Sequence, residues 1–416
     1  MAQSSRKLLF ISYFFPPSGG ISSLRAILFA RFLKRNGWRV KVLTCGNKLS
    51  WRVIDESLIN LVEEIDVTRV NSSIIDGYYS KNYMFHKKVL VGISSVLNLD
   101  PMHFWAKEVS RHIKSVLTNF SPDLVLITIP PFSSALLVEH IKRLYPKIPV
   151  ILDFRDLFWL FLPYGSIFRK LANLVQVRLA KSIFRRITPM FDGFIVPDSS
   201  FVETVKTYSQ APIGVIPTPY DPDEFRDLPK ANFTDHFTIV HAGSFHRYNN
   251  PKFLRRVFSI LPDSILQNTK LLLVGNVNSR VRKIFHNISW AKIIDHLPRK
   301  DALGLLVSSD ANLVFVTVPA SKGGKQIVPG KVFDYIGAGK PIIAFAPEGG
   351  ALLKLVKENE FGVAAPIEDP EKAAEAIAEL YENWRNGGKQ ISSDKRKDFL
   401  VDAIIPKLSN FLGNFI

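Results

Sequence analysis

Residues 323–350, GGKQIVPGKVFDYIGAGKPIIAFAPEGG, decide the fold that the rest of the chain must fit. An apolar run at 311–318 precedes this stretch, and another at 341–346 lies within it, and each predicts a buried strand. Between the runs lies a loop rich in glycine and lysine, and then a segment that predicts a helix. Pro329 takes the first helical position, where its missing N–H costs no hydrogen bond. Strand, helix and strand in this order predict an α/β fold with a parallel sheet.

The start of this helix is suited to an anion. Gly330 lets a ligand approach the backbone closely, and the free N–H groups of the first turn favour negative charge. Lys325 and Lys331 add positive charge, and Asp334 is a carboxylate that can accept hydrogen bonds from two vicinal hydroxyls. The pattern therefore indicates a diphosphate that carries a ribose, although an ordinary capped helix with solvated lysines would look the same in isolation.

Length and composition limit the classes of protein that the chain can represent. The chain has 416 residues, of which 47% are hydrophobic, enough for two domain cores. Cys45 is its single cysteine, which excludes a disulfide framework and a cysteine-rich metal site. We recognise no signal peptide and no apolar run that could span a bilayer. We therefore expect a cytoplasmic protein, or one that is peripheral on the inner face of a membrane.

The positive charge is concentrated in the first half of the chain. The net charge is +17, and residues 1–215 supply 28 Lys and Arg against 15 Asp and Glu, which is +13. The remaining residues contribute +4. A basic half favours an anionic partner, such as a membrane surface or a phosphorylated acceptor, but a general role in solubility gives the same balance.

Short apolar strands alternate with helices in both halves, which predicts two doubly wound, Rossmann-like domains. We expect a first domain at 1–217, a linker at 218–236, a second domain at 237–390, and a C-terminal helix at 391–416 that packs on the first domain. Such domains bind ligands at the carboxyl ends of their strands, so we expect the site between the two domains. The predicted ligand loops are 15–22, 128–134, 153–159, 243–250, 275–279 and 321–330.

Four blocks of this sequence resemble, in order, the family 4 glycosyltransferases of GT-B fold. They are FISYFFPPSGG at 10–20, DFRD at 153–156, HAGS at 241–244, and PGKVFDY at 329–335 followed by GKP at 339–341. The resemblance implies transfer of a sugar, with retention of configuration, from a nucleoside-diphosphate donor to a glycan or lipid-linked acceptor. It also implies a role in polysaccharide or glycoconjugate biosynthesis, with no metal ion and no cofactor besides the donor substrate.

The resemblance also implies a donor site in the second domain. Asp334 stands at the second of two acidic positions in the family and would hold the ribose hydroxyls. Gln326 replaces the first glutamate, and Ser244 replaces an arginine, so Arg247 is expected to neutralise the diphosphate instead. Thr218 and Pro219 replace the usual Asn-Gly between the domains. The other predicted donor-binding residues are Gly19, Gly20, Gly243, Gly275, Asn276, Leu297, Lys325 and Gly330.

Catalysis would depend on cations near the leaving group, because cleavage of the sugar–phosphate bond puts negative charge on the diphosphate. Arg247 and Lys331 are the predicted catalytic cations. Asp153 is the third predicted catalytic residue, and Arg155 and Asp156 are expected to bind the acceptor, since all three lie at the end of a predicted strand. An Asp–Arg pair that only holds the loop remains the alternative. The resemblance implies that the leaving phosphate itself takes the proton of the acceptor.

Residues 167–187 predict a basic amphipathic helix that could bind an anionic membrane. Lys170, Arg178, Lys181 and Arg185 fall in one arc of its helical wheel. A helix packed on the sheet with a solvated basic edge is the alternative.

Two other functions stay open, a nucleotide-sugar epimerase of the same fold and a non-catalytic nucleotide-sugar binder or scaffold. Gln326 and Ser244 are the residues that keep the non-catalytic alternative open. A nucleic-acid partner is not expected, because the sequence shows no basic stripe with interleaved aromatic residues on a recognised module.

Overall fold

The computed structural model describes residues 5–47, 54–80, 84–156, 167–233, 235–243, 245, 249–388 and 391–416, with the backbone alone at 85 and 167–174. The chain forms two compact units. Unit 1 comprises Met1–Pro217 together with Ile404–Ile416, and unit 2 comprises Thr218–Ala403.

Unit 1 contains a seven-stranded sheet in the order β3-β2-β1-β4-β5-β6-β7, and every pairing is parallel. Its strands are β1 Lys7–Ser12, β2 Arg39–Cys45, β3 Asp66–Val70, β4 Leu124–Ile129, β5 Val150–Phe154, β6 Gly193–Val196 and β7 Ile213–Val215. Every residue of β4 is buried, so both faces of the sheet are covered there.

The helices of unit 1 lie between these strands in sequence. They are α1 Ile21–Arg35, α2 Ser73–Tyr79, α3 Phe85–Leu97, α4 His103–Phe120, α5 Leu137–Leu144, α6 Ile167–Ile187 and α7 Val202–Lys206. The alternation of helices with parallel, apolar strands is the α/β pattern that the sequence predicts.

Unit 2 contains a six-stranded parallel sheet in the order β10-β9-β8-β11-β12-β13. Its strands are β8 Phe237–Ala242, β9 Thr269–Val274, β10 Ala291–Ile294, β11 Ala311–Phe315, β12 Ile342–Ala346 and β13 Gly362–Pro366. Its helices are α8 Pro251–Ile260, α9 Asp263–Leu266, α10 Ser279–Phe285, α11 Arg299–Ser308, α12 Lys331–Ala338, α13 Ala351–Glu358, α14 Pro370–Arg385 and α15 Ser393–Arg396. The predicted α/β class with parallel sheets is confirmed in both units.

The C-terminal segment is not the single helix that the apolar pattern suggests. After α15 the chain forms a 3₁₀ turn at Lys397–Phe399, extends at Leu400, and resumes as α16 Val401–Gly413. The break is fixed by Tyr220, whose N–H donates to Phe399 O and whose C=O accepts from Val401 N. From Ile404 onward the chain belongs to unit 1, where Ser409 accepts a hydrogen bond from the indole N–H of Trp38 at 2.8 Å.

Candidate donor site at the carboxyl end of the second sheet

The strand order of unit 2 reverses between β8 and β11, and ligands of doubly wound sheets bind at the carboxyl ends of the strands beside such a reversal. Gly243 follows β8 there with a φ of 121°, and Gly275 follows β9 with a φ of 136°. A Cβ on Gly275 would lie 2.9 Å from the carbonyl carbon of Gly243, so only glycine allows the two loops to touch. The structure thus brings together these two predicted donor-binding residues.

Lys331 lies directly beneath the Gly243 loop. A Cβ on Gly243 would be 2.7 Å from Lys331 Nζ, which places the ammonium group at the surface of this loop. Nζ also lies 3.1 Å from Nε2 of His241, a residue buried in β8. His241 Nδ1 is 2.8 Å from Leu313 O, which can only accept, so Nδ1 carries the proton and Nε2 accepts from Lys331.

The two side chains of this pair are both shifted toward their neutral forms. Burial lowers the pKa of Lys331 to about 7, and the nearby Asp334 opposes that shift. Burial, followed by the charge of Lys331, holds the pKa of His241 well below its ordinary value. Lys331 is therefore a cation that a bound anion would stabilise, because the protein itself only partly compensates its charge.

Asp334 belongs to the first turn of α12 and is held by Arg299, the first residue of α11. Arg299 Nη2 donates to Asp334 Oδ1 at 2.9 Å, and Nη1 donates to Oδ2 at 3.3 Å. The same guanidinium donates to both oxygens of Glu224, at 2.6 and 2.9 Å. Each Asp334 oxygen can still accept a second hydrogen bond, and the side chain is 16% exposed. The carboxylate is thus fixed in orientation and remains able to hold two hydroxyls.

Sequence reasoning missed Arg299 and Glu224. They lie 35 and 110 residues before Asp334 in the chain, and no local pattern connects them with it. The only signal in the sequence is the position of Arg299 at the start of a predicted helix, where a basic residue does not favour the helix dipole. The structure explains this arginine, because Arg299 donates hydrogen bonds to the carboxylates of Glu224 and Asp334.

The loop before α12 carries three more predicted residues. Gly330 is the N-cap of α12 and no side chain caps this helix end. The helix begins at Lys331, two residues later than expected, although Pro329 O already accepts from Val332 N at 2.9 Å. Lys325 is exposed and Gln326 is partly buried in a short 3₁₀ turn. The uncapped N–H groups of Gly330 and its neighbours remain suited to an anion.

Two other predicted donor-site residues lie on loops at this end of the sheet. Asn276 is exposed directly after Gly275, and Leu297 is partly buried after β10, both on the loops at this end of the sheet. Ser244 and Arg247 lie outside the described residues, so their predicted roles remain predictions.

In unit 1 the structure corrects the prediction for Asp153. Its carboxylate is 0% exposed and pairs with Arg25, whose Nη2 lies 2.8 Å from Oδ1 and whose Nε lies 3.1 Å from Oδ2. Thr128 Oγ1 also donates to Oδ2 at 2.8 Å. Asp153 is therefore part of the interior and does not face a ligand. The predicted alternative of a structural Asp–Arg pair is correct in kind, but its arginine is Arg25 and not Arg155.

Arg155 and Asp156 follow β5, as predicted, but Arg155 is committed to the backbone. Its guanidinium donates to the carbonyl oxygens of Ile129, Ser22 and Pro130 at 3.2, 2.9 and 3.3 Å. It thereby ties the end of β4 to the start of α1. Asp156 is partly buried, and burial raises its pKa, with Arg155 opposing the rise.

The first predicted glycine loop lies at the start of α1. Gly20 is the N-cap of this helix with a φ of 85°, and a Cβ there would meet no atom within 4 Å. The position therefore demands glycine for its backbone conformation and is open to an approaching group. Gly19, just before it, is partly buried.

Helix α6 packs its apolar side into unit 1. Ala180, Phe184 and Ile187 are buried, while Arg178, Lys181 and Arg185 are exposed. The side chain of Lys170 lies outside the described residues. This arrangement favours the alternative of a domain helix with a solvated basic edge. Among the described helices, none has the length and apolar character that would let it cross a membrane.

Within the described residues, no three or more His, Cys, Asp or Glu side chains are grouped so that they could hold a metal ion. The predicted absence of a metal and of a cofactor remains a prediction.

Solved structures of similar shape are GT-B glycosyltransferases. A glycosyltransferase from Rickettsia africae aligns with a TM-score of 0.63 at 15% identity, covering 99% of both chains. Sucrose-phosphate synthase from Thermosynechococcus elongatus aligns at 0.66 and 14%, covering 98% of both chains. WaaG, a glycosyltransferase involved in lipopolysaccharide biosynthesis, aligns at 0.58 and 13%, covering 97% of this chain and 99% of its own. At such identities the likeness shows the fold alone, and it confirms the predicted GT-B class.

No curated protein is significantly similar to the chain in sequence. Residues 236–383, however, match the family described as Glycosyl transferases group 1. This region contains Gly243, Gly275, Arg299, Lys331 and Asp334, which together build the site described above. The predicted resemblance to a glycosyltransferase family is confirmed for these residues, which lie within unit 2.

Proposed function

We propose that the protein transfers a sugar from a nucleoside-diphosphate donor to a glycan or lipid-linked acceptor with retention of configuration, in polysaccharide or glycoconjugate biosynthesis. The observation that carries the proposal is the pairing of a fixed carboxylate with a partly buried lysine at the reversal of the second sheet. Asp334, held by Arg299, suits two vicinal hydroxyls. Lys331, beneath the loop of Gly243, suits a diphosphate.

In the proposed reaction the bond between the anomeric carbon and the donor diphosphate breaks, and a bond to the acceptor oxygen forms on the same face of the sugar. The proton of the acceptor hydroxyl passes to an oxygen of the leaving diphosphate. The products are a glycoside and a nucleoside diphosphate. Lys331 would stabilise the charge that develops on the leaving group, and Arg247 would assist it. The proposal assigns this charge to protein cations and needs no metal ion.

A lysine of lowered pKa suits this position, because a bound diphosphate would favour its protonated form. In the free protein its ammonium group has only partial compensation from Asp334. A diphosphate would complete the compensation, so the binding energy would be greatest when two negative charges are present. The product nucleoside diphosphate would bind to Lys331 for the same reason.

The first test is ligand binding. A panel of nucleoside diphosphates and nucleotide sugars should include at least one that raises the melting temperature, since a ligand that binds only the native state stabilises it. Asp334→Asn should weaken that ligand by about 10- to 100-fold, because a hydroxyl bound to a charged acceptor contributes about 1.5–3 kcal/mol. Calorimetric titration measures the change.

Asp301→Asn is the matched control. Asp301 is an exposed aspartate in the first turn of α11 and should leave binding unchanged. Equal affinity in the wild type and in Asp334→Asn would contradict the ribose role. Absence of any nucleotide-dependent stabilisation would contradict the donor proposal altogether.

The second test is turnover, which separates the enzyme from a non-catalytic nucleotide-sugar binder. The enzyme should release nucleoside diphosphate from the donor, slowly with water and faster with an acceptor, and chelation by EDTA should not slow it. A protein that binds the donor and leaves it intact with every acceptor would be a binder or scaffold. Conversion of the donor sugar into an epimer would identify the other alternative.

A further inference from the structure

Helix α3 carries large apolar side chains that are exposed. Leu90, Ile93 and Leu97 are 63%, 56% and 55% exposed. Their spacing of three and four residues puts them on one face of the helix. Val89, also exposed, lies four residues before Ile93 and extends the row toward the start of the helix. We call these four residues the apolar ridge.

The ridge is not the inward face of the helix. That face is formed by Val91 and Ser95, which are buried together with Leu99 just beyond the helix end. Helix α3 packs against α6, and Gln176 Nε2 of α6 donates to Leu99 O at 3.5 Å. Since the inward face already has its partners, the ridge is a second apolar face. Single exposed apolar residues are common, but a contiguous row marks an interaction surface.

The charged side chains of α3 and α6 are all positive. Residues 84–99 and α6 together contain eight Lys and Arg and no Asp or Glu. Lys87 is exposed and precedes Leu90 by three residues, so the two are neighbours on the surface of α3. On α6, which packs against α3, Arg178 is exposed. In the described part of the chain, Lys87, Lys88 and Arg178 form no ion pair.

We propose that the apolar ridge and these flanking cations bind the surface of an anionic lipid bilayer. Helices of this kind bury their apolar face at the boundary between headgroups and acyl chains. Each cation held near an anionic surface strengthens binding by about fivefold. A second copy of this chain is disfavoured as the partner, because it would bring the same positive charges together. A nucleic acid would not use a row of aliphatic side chains.

This surface is not the one that the sequence suggests. The basic pattern of 167–187 predicts α6 as the membrane helix, but the buried side chains of α6 have partners in unit 1. Helix α6 instead supplies cations, and α3 supplies the apolar side chains. The inference rests on the proposed function only in that a lipid-linked acceptor would lie at such a surface. Its tests require neither donor nor acceptor.

The first test is sedimentation with vesicles of phosphatidylcholine alone or mixed with phosphatidylglycerol, at 0.1 M NaCl. The wild-type chain should bind the anionic vesicles and bind phosphatidylcholine at least tenfold more weakly. The double variant Leu90→Gln, Ile93→Gln should lose at least tenfold in affinity for the anionic vesicles. Ile260→Gln, at a residue of α8 that is 38% exposed, is the matched control and should bind like the wild type.

Thermal unfolding should be the same for these variants, since all the altered side chains are exposed. A ridge variant that binds as tightly as the wild type would overturn the proposal, as would a wild-type chain that stays in solution. A ridge variant that retains vesicle binding but changes oligomeric state in gel filtration would assign the ridge to a second copy.

The second test reports on the ridge itself. In a Cys45→Ser background the chain has no cysteine, so a polarity-sensitive dye can be attached at Ile93→Cys or at Ile260→Cys. Anionic vesicles should shift the emission of the dye at position 93 to shorter wavelength and leave that at position 260 unchanged. A bound protein without a shift at position 93 would overturn the proposal, because another basic surface would then be in contact with the lipid.

Discussion

Asp153 in unit 1 and Asp334 in unit 2 are each held by an arginine, yet they have different surroundings. Asp153 is 0% exposed and accepts from both Arg25 and Thr128. Asp334 is 16% exposed and accepts from Arg299 alone among its described contacts. Removing water from an ion pair is costly unless the partners saturate it. The first pair therefore contributes to the fold, whereas the second holds a carboxylate ready for a ligand.

The largest effect is expected from Arg25→Met. It leaves Asp153 as a buried charge without its main partner, which costs about 3–5 kcal/mol of unfolding free energy. Urea denaturation measures the loss, and hydrogen exchange should locate it in the peptides of β4 and β5. Arg143→Met, at an exposed arginine of α5, is the control and should be neutral. A loss below 1 kcal/mol would contradict the structural role of this pair.

A smaller loss of stability, with a larger effect on binding, is expected from Arg299→Met. The two carboxylates that Arg299 joins are partly exposed, so their loss of a partner costs about 1–3 kcal/mol. Asp334 would also lose its fixed orientation, and the KM for the donor should rise while kcat changes little. Arg280→Met, at an exposed arginine of α10, is the control. An unchanged KM would show that Arg299 stabilises the fold and does not position Asp334.

The smallest effect is a pH dependence that is expected at the candidate donor site of unit 2 and not at the Asp153–Arg25 pair of unit 1. Because the pKa of Lys331 is about 7 and a diphosphate would raise it, donor binding should take up a proton above pH 7. The dissociation constant of the bound nucleoside diphosphate should therefore rise with pH by up to about tenfold per unit. In the free protein the unfolded chain binds more protons between pH 7 and the ordinary lysine pKa, so stability should rise with pH there.

Lys331→Arg is the control for this pH dependence. Arginine stays protonated over the whole range, so the variant should bind with a flatter profile between pH 7 and 9. Isothermal titration in buffers of different ionisation enthalpy counts the protons directly. Equal profiles in the wild type and the variant would assign the titration to another group.

The fold was largely predictable from local patterns. The apolar runs at 311–318 and 341–346 predict two strands, and the structure forms β11 Ala311–Phe315 and β12 Ile342–Ala346 there. Strand β3 was not predicted, because it alternates charged with apolar residues. Helix α4 was also missed, although its buried Val109, Ile113 and Val116 follow the three- and four-residue spacing of a helix. The break before α16 also escaped prediction, since it depends on backbone hydrogen bonds from Tyr220, far away in the chain.

The candidate site was predictable only in part. Gly243, Gly275, Lys331 and Asp334 follow from strand ends and a helix start, which are local signals. The residues that fix their chemistry are not local. Arg299 and Glu224 orient Asp334, and His241 contacts Lys331. These residues are far apart in the sequence and come together only in the folded chain. The predicted role of Asp153 was wrong, because its position in an apolar run does not reveal that its carboxylate is buried and paired with Arg25.

The sequence by itself determined two parallel α/β units and the anion-binding character of the start of α12. Those properties depend on side-chain periodicity and on backbone groups at a helix end, which neighbouring residues control. Only the tertiary structure decided which aspartate is buried and which stays open, and which helix of unit 1 has an uncovered apolar face. Burial depends on what packs from elsewhere in the chain, and a linear pattern does not contain that information.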